Sequence, residues 1–337
     1  MKPLVSILIP AYNAERFLAE TIRSAQRQSW PHKEIIIVDD GSKDNTLALA
    51  KSFASAEVKV ISQPNQGAAA ARNHLASLAQ GEYLQWLDAD DLMSPDKVAR
   101  QVAAALECGS RRTLLSSGWA YFIYRPHTAK FVPTLLWENL SPCEWLLRKW
   151  EHNLHMQTAT WLVSRELTQA AGPWNTQLLG DDDGEYFSRV ITASDGIRFV
   201  PGEKVYYRNS GFTRLSYMNR SDRKMEAQVY GMQLQIGYLR AMTDDARARA
   251  ACITYLQTWL PGFYPNRLDL VAQMKRQAEA LGGHLELPQI SWKYRWIQQT
   301  LGWSAAQRTQ VNYNEWKDSL LRAWDKALYH LERRRDV

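Results

Sequence analysis

The first part of the chain, to residue 91, alternates between short apolar runs and amphipathic stretches. Near-continuous apolar runs are typical of strands that helices cover on both faces of a parallel sheet. The predicted strands are residues 4–9, 34–38, 58–61 and 83–87, and the predicted helices lie between them. Because each helix leads into the next strand, the sequence predicts successive βαβ units and an α/β fold with a mostly parallel central sheet.

Two of these predicted strands end in carboxylates. Asp39 and Asp40 follow the second strand, and Asp88 and Asp90 follow the fourth. Ligands of open parallel sheets bind in the crevice outside the carboxyl ends of the strands, so both pairs can face one crevice. One pair could bind a base and ribose while the other holds a divalent cation and phosphate. Two alternatives stay open: Asp40 as a turn former before Gly41, and the later acids as a loop that precedes a helix.

Four segments, in order, resemble the successive signatures of family 2 glycosyltransferases. They are residues 7–13 (ILIPAYN), 38–46 (VDDGSKDNT), 65–67 with 72–73 (NQG and RN), and 87–91 (LDADD). The resemblance extends over roughly residues 4–216 and implies the GT-A fold, a Rossmann-like nucleotide-sugar-binding fold.

Site residues follow from this resemblance. It implies that the donor nucleotide contacts Pro10, Ala11, Tyr12, Asn13, Asp39, Asp40, Asn65, Gly67, Arg72, Asp88 and Ala89. It also implies that Asp90 and Asp88 bind Mn²⁺ or Mg²⁺. For Arg72, a charge on a helix surface is the alternative.

A second acidic cluster occupies residues 180–185 (GDDDGE). The resemblance implies that Asp183 is the general base and that Asp182 is its neighbour, ahead of a short amphipathic helix. Here the chain has Gly184 where an aromatic residue is common in the family, and Asp182 where glutamate is common. These departures leave open which acid is the base. A helix N-terminus that simply favours acidic residues is the alternative interpretation.

Residues 205–210 (VYYRNS) resemble the family segment that closes over the diphosphate, although the histidine that many relatives carry there is absent. A third protein ligand to the metal is therefore not expected from this segment. We expect Arg208 or Arg214 to offset charge on the departing diphosphate instead. Earlier in the chain, between the two acidic motifs, residues 114–119 and 121–124 suggest a pair of strands.

The C-terminal part is helical in pattern, basic and rich in aromatic residues. The net charge is +6, and residues 201–337 contribute 21 Lys and Arg against 13 Asp and Glu, or +8. An apolar stripe recurs at helical spacing between residues 313 and 331, which is typical of core or partner contacts. Trp292, Trp296 and Trp303 interleave with Lys293 and Arg295, a pattern that favours peripheral membrane contact. No nucleic-acid-binding module is recognised, so nucleic acid is not an expected partner.

The chain length and these boundaries predict three regions. Residues 1–220 form a GT-A glycosyltransferase domain, divided into a nucleotide-binding half (1–106) and an acceptor and catalytic half (107–220), and residues 221–337 form the helical region. Three scattered cysteines, the lack of a signal-peptide pattern at the start, and the lack of a long apolar run predict a cytoplasmic protein, with membrane contact at the inner face.

The expected function is an inverting, metal-dependent glycosyltransferase of hexosyltransferase type. It would move a sugar from a nucleotide-diphosphate donor, with UDP-sugars favoured, to a hydroxyl of a saccharide or lipid-linked saccharide, in cell-surface polysaccharide or glycoconjugate synthesis. The alternative is a nucleotide-sugar-binding or scaffold protein that has lost catalysis.

Overall fold

The computed structural model of the chain describes residues 2–209 and 221–335. Its first part has the predicted alternation of strands and helices. The elements are β1 (Val5–Ala11), α1 (Leu18–Gln26), β2 (Lys33–Asp39), α2 (Thr46–Lys51), β3 (Val58–Ser62), α3 (Ala68–Leu78) and β4 (Tyr83–Trp86). The strands are apolar along their length because they are covered on both faces: Leu8 and Ile36 belong to one hydrophobic cluster, whereas Ile7 and Ile35 belong to another.

The second part completes an eight-stranded sheet. It adds β5 (Leu92–Met93), α4 (Lys97–Cys108), β6 (Thr113–Phe122), α5 (Pro142–Glu151), β7 (Leu162–Ser164), α6 (Arg165–Ala171), α7 (Asp182–Ala193) and β8 (Gly196–Arg208). The strand order is β3-β2-β1-β4-β7-β6-β8-β5. The pairs β3-β2, β2-β1, β1-β4 and β6-β8 are parallel, and the other three neighbouring pairs are antiparallel. The predicted mostly parallel α/β sheet is confirmed.

One local prediction was wrong. Residues 114–119 and 121–124 are not two strands, because β6 continues through Ala120, which pairs with Tyr206 of β8. The register of this parallel pair shifts once, between Ser117 and Gly118. β6 is therefore one long strand, and its last residue, Phe122, pairs with Arg208 at the end of β8.

Five helices follow residue 221: α8 (Asp222–Met242), α9 (Ala246–Trp259), α10 (Leu268–Ala280), α11 (Arg295–Leu301) and α12 (Trp303–Arg335). Met232, Leu256 and Met274, from α8, α9 and α10, belong to the same hydrophobic cluster as Trp150 and Tyr186 of the preceding part. Of these three helices, α8 packs against α7 and α9 packs against α5, whereas α10 packs against α8 and α9. The proposed boundary at residue 220 stays a prediction.

The last helix returns to the first half of the chain. The Asp325 carboxylate accepts hydrogen bonds from the backbone N–H of Tyr124 (2.8 Å) and from Nε of Arg125 (2.8 Å). Tyr329 donates its hydroxyl to Glu20 at 3.0 Å. Among the residues that the structure describes, no helix has the length and apolar character needed to cross a membrane.

Candidate functional site

The carboxyl ends of β1 and β2 form one edge of the candidate site. Ala11 and Asp39 are register partners, so the two following loops start side by side. Asn13, with a positive φ of 48°, joins them: its N–H donates to Ser42 Oγ (3.0 Å), and its Oδ1 accepts from the N–H of Lys43 (2.8 Å). Pro10 and Ala11 belong to β1, and Tyr12 directly after it is 46% exposed. Its ring is available for stacking at this edge.

Asp39 and Asp40 have different surroundings. Asp39 is 1% exposed; its Oδ2 accepts from Ser42 and Ser62, and its Oδ1 is buried without a hydrogen-bond partner among the described residues. A buried acceptor without a partner is uncommon and fits a ligand that donates an N–H or O–H. This unpaired oxygen marks the edge formed by the ends of β1 and β2 as a candidate ligand-binding site.

Asp40 instead holds the loop that precedes α3. Its Oδ1 accepts from the N–H of Gln66 (2.9 Å), its Oδ2 accepts from the N–H of Gly67 (2.8 Å), and its carbonyl accepts from Asn65 Nδ2 (2.9 Å). Gly67 has a φ of 91°, which favours glycine. Through Asp40, the structure brings Asn65 and Gly67 to the edge formed by the ends of β1 and β2. A direct contact between Asp40 and a nucleotide stays a prediction.

Arg72 of α3 connects the two acidic motifs. It is 7% exposed and donates from Nη2 to Asp88 Oδ1 (2.9 Å) and from Nη1 to Asp182 Oδ2 (2.6 Å). Its guanidinium lies 4.5 Å from the centre of the Trp174 ring. Burial lowers the pKa of Arg72, but the Asp182 and Asp88 carboxylates together raise it above its usual value. Arg72 is therefore a buried cation shared by both motifs and not a surface charge.

Removing the charge of Arg72 is expected to destabilise the fold. In Arg72→Met, the two carboxylates lose their buried cation. Deleting one partner of a buried ion pair typically lowers the free energy of unfolding by about 3–5 kcal/mol, and we expect a loss of this size. Arg72→Lys, which keeps the charge but not the forked geometry, should lose less. Urea denaturation followed by circular dichroism measures both variants. Equal stability of Arg72→Met and wild type would contradict the assigned contacts.

The three consecutive acids at the start of α7, Asp181 to Asp183, also have different surroundings. Asp181 has a φ of 53° and accepts hydrogen bonds from Gln235 (3.0 Å) and Gln228 (3.2 Å) of α8. A Cβ on residue 184 would overlap the Asp181 carboxylate, so any larger residue there requires that carboxylate to move. Burial raises the pKa of Asp181. It also raises the pKa of Asp182 to about 6, against the opposing effect of Arg72. The Asp181 carboxylate therefore links the start of α7 to α8 through these two hydrogen bonds.

Asp183 lines a cavity and has only neutral hydrogen-bond donors as partners among the described residues. Its Oδ2 accepts from Thr158 Oγ1 (3.2 Å), and its Oδ1 accepts from the N–H of Gly184 (2.9 Å). The cavity, of about 200 Å³, lies between α5, α7 and α9 and is lined by Asp183 and Asp181. The Asp183 carboxylate has neutral donors as partners and no ion pair among the described residues, which suits a group that accepts a proton.

The turn after β4 can supply a two-carboxylate metal site. Within residues 2–209 and 221–335, no group of three or more His, Cys, Asp or Glu side chains could hold a metal ion. Asp88 and Asp90, with Ala89 between them, provide two oxygen ligands, and Mg²⁺ and Mn²⁺ take one or two carboxylates together with phosphate oxygens and water. The donor set therefore fits either cation, provided that Asp88 shares its carboxylate between the cation and Arg72.

Arg208 was expected to contact the diphosphate of the donor, but its side chain is buried in the protein. It is 1% exposed and lies between the rings of Phe17 and Phe122, each 4.3 Å away. Its Nε donates to the carbonyl of Asp90 (2.7 Å), and Nη2 donates to Glu20 (2.6 Å). The residue is buried because β8 ends under the turn after β4, so Arg208 fixes that turn and does not present its guanidinium to a diphosphate here. Arg214 lies outside the described residues.

Some residues of the site were not found from the sequence. Thr158, beside Asp183, comes from a segment without a recognisable motif. Trp174, beneath Arg72, lies in residues 172–175, which resemble the second half of the family, but no role was assigned to it from the sequence. Tyr255 and Trp259 of α9 line the cavity, and their spacing of four residues on a helical stretch was the available signal.

Comparison with known proteins gives a family match in the first part of the chain. The family model "Glycosyl transferase family 2" matches residues 6–161. An uncharacterized glycosyltransferase of Rickettsia typhi is 35% identical over 130 residues, 39% of this chain and 41% of the relative. The Bacillus subtilis protein described as "Putative teichuronic acid biosynthesis glycosyltransferase TuaG" is 40% identical over 109 residues, 32% of this chain and 43% of the relative. Each alignment thus spans less than half of either protein.

Solved structures identify the fold as GT-A. S. aureus TarS 1-349 in complex with UDP superposes with a TM-score of 0.62 at 20% identity, covering 81% of this chain and 78% of that one. Mannosyltransferase PcManGT from Pyrobaculum calidifontis, in complex with GDP-Man and Mn²⁺, superposes with a TM-score of 0.53 at 18% identity, covering 92% and 88%. At these identities the likeness extends to the fold.

Proposed function

We propose that this chain is an inverting, metal-dependent glycosyltransferase that transfers a hexose from a nucleotide-diphosphate sugar to a hydroxyl acceptor. One observation carries the proposal: Arg72 binds Asp88 of the donor edge and Asp182 beside Asp183 at the same time. The nucleotide edge and the candidate base therefore belong to one site, as a single displacement requires. The family 2 match over residues 6–161 supports the same reaction class.

The donor binds along the edge formed by β1, β2 and β4. Asp39 Oδ1 accepts a hydrogen bond from the base or ribose, and Tyr12 offers a ring for stacking. Asp88 and Asp90 would hold Mn²⁺ or Mg²⁺, and the bound cation would supply positive charge that stabilises the leaving diphosphate. UDP-sugars are the favoured donors, which agrees with the TarS complex with UDP, whereas PcManGT was solved with GDP-Man.

Asp183 acts on the acceptor. One of its carboxylate oxygens accepts the proton of the acceptor hydroxyl while that hydroxyl oxygen forms a bond to the anomeric carbon. The bond from the anomeric carbon to the diphosphate oxygen breaks on the opposite face, so the configuration inverts. Asp182 and Arg72 keep the start of α7 against the donor edge. The acceptor is a saccharide or a lipid-linked saccharide in the synthesis of a cell-surface glycan.

A thermal-shift panel of nucleotide sugars tests donor binding. We expect one donor to raise the unfolding midpoint only when Mn²⁺ or Mg²⁺ is present, because Asp88 and Asp90 would hold the cation and the cation would supply positive charge to the donor diphosphate. The same samples are analysed for released nucleotide. Donor binding without release or transfer on any acceptor would favour an inactive nucleotide-sugar-binding protein, and no donor binding with metal would contradict both functions.

Peripheral membrane contact is the second part of the proposal. Large apolar side chains are exposed along α11 and α12, where Trp296, Trp316 and Trp324 are 63%, 60% and 67% exposed. Basic residues including Lys317 and Arg322 lie on the same helix as Trp316 and Trp324. Tryptophan beside basic residues suits the surface of an anionic bilayer, and this placement is at the inner face of the cell membrane.

Vesicle co-sedimentation measures this contact. With phosphatidylglycerol vesicles at low salt, we expect the double variant Trp316→Ala/Trp324→Ala to bind at least about tenfold more weakly, because a tenfold change requires only about 1.4 kcal/mol of lost burial. The control is Leu106→Ala, which removes an exposed apolar side chain of α4. Equal binding of the double variant and wild type would contradict a membrane role for this face.

A further inference from the structure

The turn that carries the proposed metal ligands is held through its own carbonyl groups. The carbonyl of Ala89 accepts a hydrogen bond from Thr21 Oγ1 of α1 (3.0 Å), and the carbonyl of Asp90 accepts one from Arg208 Nε at the end of β8 (2.7 Å). The backbone N–H of Arg208 also donates to Asp91 Oδ1 (2.8 Å). Because these contacts fix the backbone of the turn, they also orient the carboxylates that it carries.

Glu20 of α1 supplies the negative charge that pairs with this buried arginine. Its Oε2 accepts from Arg208 Nη2 at 2.6 Å, while Arg208 Nη1 donates to the carbonyl of Ile123 at 3.0 Å. The side chain of Arg208 is 1% exposed and that of Glu20 is 36% exposed. Removing the carboxylate would leave the buried cation without its counter-charge. The position of Arg208 therefore depends on the orientation of Glu20.

The end of α12 contacts the other oxygen of the same carboxylate. Tyr329 donates its hydroxyl to Glu20 Oε1 at 3.0 Å. One turn earlier, the Asp325 carboxylate accepts from the N–H of Tyr124 and from Arg125 Nε, each at 2.8 Å. The Tyr124 and Tyr329 rings have their centres 5.8 Å apart. The contact with Glu20 therefore belongs to a helix end that is docked by several interactions.

The two oxygens of Glu20 thus join α12 to β8. A partly exposed glutamate on a helix has several side-chain conformations, and holding it in one of them costs conformational entropy. The hydrogen bond from Tyr329 favours the conformation in which Glu20 reaches Arg208. From there, the Nε of Arg208 continues the connection to the carbonyl of Asp90.

We propose that Tyr329 and Glu20 are positioning residues for the metal-binding turn, and that the docked end of α12 completes the donor site through Arg208. This inference rests on the proposed metal site at Asp88 and Asp90. It adds a contribution from the C-terminal helix, which lies far from the acidic motifs in the sequence. Removing either hydrogen bond to Glu20 should therefore loosen the turn and weaken the binding of metal and diphosphate.

Two substitutions, each with a matched control, test this connection. Tyr329→Phe removes one hydroxyl and keeps the ring, and Tyr313→Phe makes the same change at an exposed position of α12. Glu20→Gln removes the paired charge, and Glu57→Gln makes the same change at a carboxylate of similar exposure, 37%, which pairs with Lys33 at 2.9 Å. Lys33 begins β2, so this control lies at the opposite end of the parallel strands. Near-ultraviolet circular dichroism verifies that all four variants fold.

Hydrogen–deuterium exchange without donor or metal is the first measurement. The N–H of Asp91 donates to the carbonyl of Asp88 (3.1 Å), so exchange in peptides covering residues 87–91 reports opening of the turn. We expect severalfold faster exchange there in Tyr329→Phe and Glu20→Gln, with wild-type exchange in β1 and β2 and in both controls. Wild-type exchange of the turn in both variants would overturn the inference. Faster exchange throughout the chain would also overturn it, since that indicates general destabilisation.

Isothermal titration with Mn²⁺ and UDP is the second measurement. We expect affinity to fall by about tenfold in Glu20→Gln, the lower end of the usual loss when contacts that orient metal ligands are removed. Tyr329→Phe should lose severalfold alone and nothing further when combined with Glu20→Gln, because it acts through that carboxylate. An additive loss in the double variant would overturn the inference. Failure of wild type to bind Mn²⁺ and UDP would contradict the proposed metal site instead, while the exchange measurement still tests whether α12 positions the turn.

Discussion

Asp183→Asn is expected to lower glycosyl transfer by about 10²–10⁴-fold, the usual contribution of a general base. The amide has nearly the same shape, so it can still accept from Thr158 and Gly184, but it cannot take the acceptor proton. Donor binding should be unchanged because Asp88, Asp90 and Arg72 are untouched. Rates are measured as nucleotide release with and without acceptor, and binding as the donor-induced thermal shift.

Asp195→Asn is the matched control for this substitution. Asp195 follows the other end of α7, and its side chain is 56% exposed. We expect this variant to transfer at the wild-type rate. Wild-type transfer by Asp183→Asn would show that another acid is the base, and Asp182→Asn, measured in parallel, would then identify it.

Asp90→Asn is expected to remove the metal dependence of donor binding. The substitution replaces one of two carboxylates in the proposed site by a neutral amide, which Mg²⁺ and Mn²⁺ bind less well than a carboxylate. We expect donor affinity in the presence of metal to fall by more than about tenfold, or 1.4 kcal/mol. Isothermal titration of the donor with Mn²⁺ and with a chelator measures the effect.

Asp96→Asn provides the comparison for the metal site. Asp96 lies six residues later, is exposed and pairs with the Ser29 hydroxyl at 2.6 Å. Its replacement removes a nearby negative charge without changing the proposed ligand pair. Metal-dependent donor binding by Asp90→Asn at wild-type affinity would contradict the assignment of Asp90 as a metal ligand.

The first four strands could be predicted from the sequence to within two residues, because each is an apolar run that is flanked by turn or capping residues. The three-residue strand β7 could not be predicted. Its place between β4 and β6 depends on tertiary pairing, such as Gln85 with Leu162, and not on local pattern. The same applies to β6, whose single long run is set by its partner β8.

The candidate site, too, was predicted from the sequence only in part. The acids at 39–40, 88–90 and 181–183 were found as motifs because several carboxylates lie close together in the sequence. Their connection through Arg72 could not be predicted, because any of the basic residues could have paired with them. The burial of Arg208 was also missed, since a strand-end arginine looks the same in sequence whether it contacts solvent, ligand or the chain.

The most direct test of inverting transfer at this site is the anomeric configuration of the sugar that wild type first releases. With the donor found in the thermal-shift panel and water as acceptor, proton NMR records the anomeric signal before the sugar equilibrates. From an α-linked donor, we predict β-sugar as the first product with wild type, and a greatly reduced rate with Asp183→Asn. Release of α-sugar first would contradict a single displacement at Asp183.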